Sequence, residues 1–242
     1  MDTPAGRDAG VRGLAPISMA LLLALAAAAA WFVAHKLHYF VETSRGSLDP
    51  YFWPRRWALW PHLGGGAVAM TTGLVQLWLG LGGRTAALHR ALGRIYVAAI
   101  AVAAPAGAYL ALTVPGHLPY KAGLISLALA WTLTTSMAVL AIRQRHIAQH
   151  RAWMMRSYAV TFAFVTFRLF YDWIAPHVAM APDPVADDVA TIMAWACWAL
   201  PLLVLEPFIQ FGAFVRAPSA GVVRPAPSSP PSAMPGSMIG SG

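Results

Sequence analysis

Apolar positions along the chain gather into six stretches of about 18 or more residues, separated by short clusters of Arg, His, Pro and Gly. The stretches cover 14–34, 62–80, 95–115, 122–142, 154–174 and 189–215. Each is long enough to cross roughly 30 Å of hydrocarbon as a helix. Backbone amides find no water in lipid, so each stretch must satisfy its own hydrogen bonds; the alternation of a membrane barrel is absent. The pattern predicts an all-α, polytopic membrane bundle of about six transmembrane helices around a four-helix core.

Composition agrees with this reading. Of 242 residues, 58% are apolar and 11% charged, where a soluble domain carries about 25% charged residues. A single Cys excludes a disulfide framework and a multi-thiolate site, which leaves eight His as the plentiful soft ligands. A net charge of +8 would ordinarily suggest nucleic acid. Here the cations sit in short loops between apolar runs, so the lipid bilayer is the expected partner and nucleic acid is not.

Those cations also set the topology. Alternating the loops puts Arg7, Arg12, Arg84, Arg90, Arg94, Arg143, Arg145, Arg151, Arg156, Arg216 and Arg224 on one side. Lys36, Arg45, Arg55, Arg56 and Lys121 fall on the other. The positive-inside bias predicts a plasma (inner) membrane protein with both termini cytoplasmic. Residues 1–13 read as a cytoplasmic N-terminus, 14–216 as the transmembrane domain and 217–242 as a disordered, Pro/Ser-rich cytoplasmic tail. The first stretch follows two Arg and is rich in Ala, as a secretion signal would be. Its apolar run exceeds the usual 7 to 15 residues of a signal core, so it is expected to stay. The aromatic segment from Tyr39 to Trp60 is expected to form an outer interfacial belt, with a short helix starting near Pro54.

Several polar groups could carry chemistry. His89 precedes the third stretch, and His146 and His150 precede the fifth on the same predicted side. Spacing of four predicts His146 and His150 on one face of a continuous helix, a geometry that also suits a divalent metal. A haem held between two helices needs an imidazole from each and cations for its propionates. His89 and His150, with Arg90, Arg94, Arg145 and Arg151, supply these types. The same residues at a membrane boundary also serve to anchor headgroups and cap helix ends. On the outer side His62 precedes Gly64, Gly65 and Gly66, small residues that admit close approach and aim His62 at the bundle interior. Arg168 lies within the fifth stretch and is expected to pair with Asp172 at i, i+4. Glu206 has no partner nearby in sequence and is a candidate for proton coupling. Gln76 and the Thr/Ser group from Thr132 to Ser136 read as packing contacts, and Cys197 as an apolar filler.

The segments His62 with its glycines, Gly73 and Gln76, then Leu88-His89-Arg90-Ala91-Leu92-Gly93-Arg94-Ile95-Tyr96, and finally His150-Arg151-Ala152-Trp153-Met154-Met155-Arg156-Ser157-Tyr158, resemble a widespread, functionally uncharacterised family of bacterial integral membrane proteins. That resemblance implies membrane residence. Gln76, Arg84, His89 and Gly93-Arg94 show a more distant similarity to transmembrane b-type cytochromes that pass electrons from ascorbate. It implies ligand roles for His62, His89 and His150. The fourth stretch, 122–142, contains no His, so the similarity implies one cytoplasmic haem b at His89 and His150. A second, outer haem would need His62 to pair with His38 or His117.

Three functions follow as expectations. The first is a haem-binding electron carrier, a membrane oxidoreductase if it is an enzyme, with a membrane or soluble redox partner. The second is a small-molecule or proton-coupled permease whose polar path runs by Arg168, Asp172 and Glu206. The third is a non-catalytic scaffold subunit. No inverted repeat supports the permease, and signatures of soluble enzymes are absent. Substrate and oligomeric state are not readable from the chain.

Overall fold

A computed structural model describes residues 5–36, 50–82, 86–178 and 183–216. Helix α1 spans Ala5–Lys36. A 3₁₀ turn, Trp53–Arg55, leads into α2, Arg56–Gly82. Then follow α3, Ala86–Thr113, and α4, Leu118–Arg143. Helices α5, Ile147–Thr161, and α6, Ala163–Val178, are followed by α7, Asp183–Arg216. No strand occurs among the described residues, and the chain is an all-α membrane bundle. Helices α3, α4 and α7 are each long and apolar enough to cross a membrane by themselves. The predicted fifth stretch is a rod of two helices meeting at Phe162, whose N–H still bonds Tyr158 O and whose carbonyl still accepts from Thr166.

Two sequence expectations need correction. The aromatic segment does not form a separate interfacial helix: its 3₁₀ turn runs directly into α2, through Pro61. Tyr51 turns inward and donates to Leu110 O at 2.6 Å, sealing one end of the bundle, while Trp57 stays exposed as a belt residue would. The second correction concerns His146. Helix α4 closes with the His146 N–H on Ala141 O and the Arg145 N–H on Ile142 O, with Arg145 left-handed at φ 62°. This is a Schellman cap with an arginine where glycine is usual. The chain therefore turns before Ile147, and His146 is the N-cap of α5, with its carbonyl accepting from the His150 N–H at 2.9 Å, instead of a residue inside a continuous helix. The belt residues Tyr39 and Phe40, His38 and the 217–242 tail lie outside the described residues.

Small residues set the closest helix contacts. A Cβ on Gly65 would lie 2.8 Å from Ala103 Cβ and Ala99 O, so α2 and α3 touch there backbone to backbone. A Cβ on Gly73 would lie 2.5 Å from the Tyr158 ring. Around these contacts Tyr96, Ile100, Ala103, Trp131, Tyr158 and Val160 form the main buried cluster. Helix α1 covers one side through Ala29, which packs with Met70 and Val165.

A buried polar circuit runs through the apolar core. Trp131 Nε1 donates to Thr161 Oγ1 at 2.8 Å, and Thr161 lies 2.8 Å from Tyr96 Oη. Tyr96 Oη is 2.8 Å from Ser157 Oγ, and Ser157 Oγ is 2.7 Å from Thr135 Oγ1. Thr135 donates to Trp131 O at 2.7 Å. The indole can only donate and the carbonyls can only accept, and Thr161 Oγ1 also donates to Ser157 O at 2.9 Å, so every hydroxyl in the circuit has a partner. The circuit begins and ends at Trp131 and ties α3, α4 and α5 together. A fully satisfied network of this kind specifies a helix register that apolar packing alone would leave loose.

Candidate functional site

The polar residues singled out in the sequence separate to two ends of the bundle. At one end, His89 on the first turns of α3 interacts electrostatically with His150 and Arg151 of α5. His150 sits one turn inside α5, because the Schellman cap has reset the chain direction after α4. Its Nδ1 lies 2.9 Å from Ala138 O on α4. A carbonyl only accepts, so the proton is on Nδ1 and the Nε2 of the neutral ring is an open lone pair. Metal-bound imidazoles are oriented by the same type of bond.

Gln76 supports the facing turn, with its Nε2 donating to His89 O at 3.2 Å. Gly93 makes room for that amide, since a Cβ there would lie 2.9 Å from it. Arg90, Arg94, Arg145, Arg151 and His146 are all exposed, and they surround His89 and His150 in sequence. The structure therefore places His89 within electrostatic range of His150 and Arg151, with His146 exposed at the N-cap of α5. Among the described residues no three His, Cys, Asp or Glu gather as a metal-ion cluster.

At the other end His62 has the same arrangement. Its Nδ1 bonds Ala103 O at 3.0 Å, and its ring packs on Phe164 with centroids 5.0 Å apart. Gly107 makes this possible, because a Cβ there would lie 2.6 Å from His62 Nδ1 and Cε1. The predicted inward aim of His62 is thus achieved by a glycine on the facing helix as well as by its own triplet. His62 borders a cavity of about 290 Å³ formed by α1, the 3₁₀ turn region, α2, α3, α4 and α6. His117, a suggested partner for His62, instead lies 3.3 Å from Asp187 O and from Thr191 Oγ1.

Arg168 pairs with Asp172 as the spacing predicts, Nε to Oδ1 at 3.0 Å, and also borders this cavity. Glu206 does have a partner, fifty residues away in the chain. Arg156 holds it with two bonds of 2.9 and 2.7 Å, and Gln210 donates to the same carboxylate at 2.6 Å. A carboxylate gripped this way is a clamp between α5 and α7, which removes the ground for a proton-carrying Glu206 without a partner. Sequence reasoning missed Arg156 because it read that residue only as a loop cation. It missed the Tyr96 circuit because hydroxyls on separate helices carry no local spacing signal.

No curated protein and no solved structure matches the chain. A family model described as a predicted membrane protein, DUF2306, matches residues 59–209. That segment includes both histidine ends, the polar circuit and the Arg156–Glu206 clamp, and the chain belongs to the DUF2306 family of predicted membrane proteins.

Proposed function

We propose that the protein is a membrane electron carrier that holds one haem b between α3 and α5 through His89 and His150. The observation that carries this reading is the His150 Nδ1 bond to Ala138 O at 2.9 Å, with His89 within electrostatic range of the His150 ring. The donor set fits the group: two imidazoles from separate helices, one with its tautomer fixed for ligation by Nε2, and exposed cations nearby.

His89 and His150 would hold the iron, and Arg90, Arg94 and Arg151 would pair with the propionates. A bound haem supplies one-electron chemistry at a potential set by its ligands and surroundings. The chain's contribution is positional. Ala138 O holds the His150 ring, Gln76 holds the turn that carries His89, and the apolar core behind them excludes water. Such a carrier needs no paired acid and base. The positive-inside bias puts this end at the cytoplasmic face of the inner membrane.

The test is a reduced-minus-oxidised visible spectrum of the protein purified in detergent. A haem band lost in His89→Ala and in His150→Ala is the expected result. A folded but colourless wild-type protein, expressed with ample haem, would overturn the reading in favour of a scaffold subunit.

A further inference from the structure

The cavity at the His62 end lies apart from His89 and His150, and its chemistry can be read without reference to haem. Its volume of about 290 Å³ sits at the lower edge of the range for small-molecule sites, roughly 300–1,000 Å³. The walls are apolar and include the rings of Phe164, Phe167 and Trp131. The Trp131 indole N–H is already spent on Thr161. Three polar side chains in the lining keep capacity for a ligand. His62 carries its proton on Nδ1, which is bound to Ala103 O, so Nε2 is an acceptor with no partner among the described residues. The Tyr120 hydroxyl makes no hydrogen bond among the described residues. Arg168 Nε lies 3.0 Å from Asp172 Oδ1 but makes no hydrogen bond among the described residues, so the guanidinium keeps N–H groups as donors.

We propose that this cavity binds a membrane-soluble hydroquinone, whose hydroxyl donates to His62 Nε2 and whose second oxygen accepts from Arg168, with the ring between the aromatic walls. A lipid acyl chain would fill the space but leave the imidazole lone pair unpaired in an apolar enclosure, which is costly. Water would satisfy Nε2 but would not cover the rings. Among the described residues a second bis-imidazole group lacks its other ligand, because His117 faces Asp187 and Thr191. A flat ring with two oxygens offers a partner to both His62 and Arg168, which line the same cavity. The apolar walls select a ligand that arrives from the bilayer.

The experiment is calorimetric titration of the detergent-solubilised protein with a short-chain alkyl benzohydroquinone and with its dimethyl ether, which has the same ring and no donor. The hydroquinone is expected to bind roughly tenfold tighter or better, the usual scale of an unmatched buried hydrogen bond. His62→Leu should abolish that difference. Ala128→Leu, which fills the cavity without touching His62, should abolish saturable binding of both. Equal affinities in the wild type, no saturable binding, or binding unchanged in Ala128→Leu would each overturn the proposal. The wild-type comparison needs no variant to fold. It also needs no haem, so a colourless protein that binds the hydroquinone would sink the electron-carrier reading and leave this one standing.

Discussion

Arg156 grips Glu206 through two hydrogen bonds, Nε to Oε2 at 2.9 Å and Nη2 to Oε1 at 2.7 Å, and so fastens the middle of α5 to the last turns of α7. The arginine is the more buried partner and also lies over the Trp153 ring, 4.8 Å from its centroid. Removing only the carboxylate strands a cation among apolar side chains. Glu206→Ala should therefore lower the thermal midpoint in detergent by more than the double change Arg156→Met with Glu206→Met, which removes both charges together. A double variant less stable than Glu206→Ala would show that the pair contributes net attraction beyond relief of a stranded charge.

Tyr96→Phe removes one hydroxyl from the circuit and takes a hydrogen-bond partner from Ser157 Oγ and Thr161 Oγ1 in a fully buried site. The expected cost is about 1–3 kcal/mol. Ser157→Ala should cost a similar amount, and the double variant should cost less than their sum, because both break one circuit. Denaturant unfolding in mixed micelles measures all three, and strict additivity would refute the shared network.

Gly73 sits where a Cβ would lie 2.5 Å from the Tyr158 ring, whose hydroxyl reaches Met70 O at 3.2 Å. Gly73→Ala should destabilise by about 1–3 kcal/mol through overpacking, although alanine is the better helix former. Gly64, with nothing near its notional Cβ, is the control: Gly64→Ala should be neutral or stabilising.

Arg145 holds φ 62° at the end of α4, a conformation in which a side chain is disfavoured. Arg145→Gly should raise stability by about 0.5–1 kcal/mol, since glycine adopts this backbone without steric cost. A loss of stability would mean that the arginine side chain contributes more than its backbone strain.

His150 and His146 offer a paired test at the other end. If the proposed haem is bound, His150→Ala should remove its spectrum, while His146→Ala should leave it intact, because His146 is exposed and caps the helix. Equal loss in both variants would contradict the exposed, capping position of His146.

The chain by itself determined the membrane, the helical class and the rods, because apolar runs of spanning length admit no other solution in lipid. It also showed the Arg168–Asp172 pair, whose i, i+4 spacing is a property of one helix. The inward turn of His62 was half legible: its own glycines signalled close approach, but Gly107, on another helix, makes the room. Only the tertiary structure decided the rest. It gave Glu206 a partner fifty positions away, closed the hydroxyl circuit across three helices, and ended α4 at a left-handed arginine that no residue preference foretells, so that His146 caps α5 instead of lying within a continuous helix. Local spacing fixes what shares a helix face. Contacts between rods depend on how side chains of different helices interlock, and that information is spread over the whole sequence.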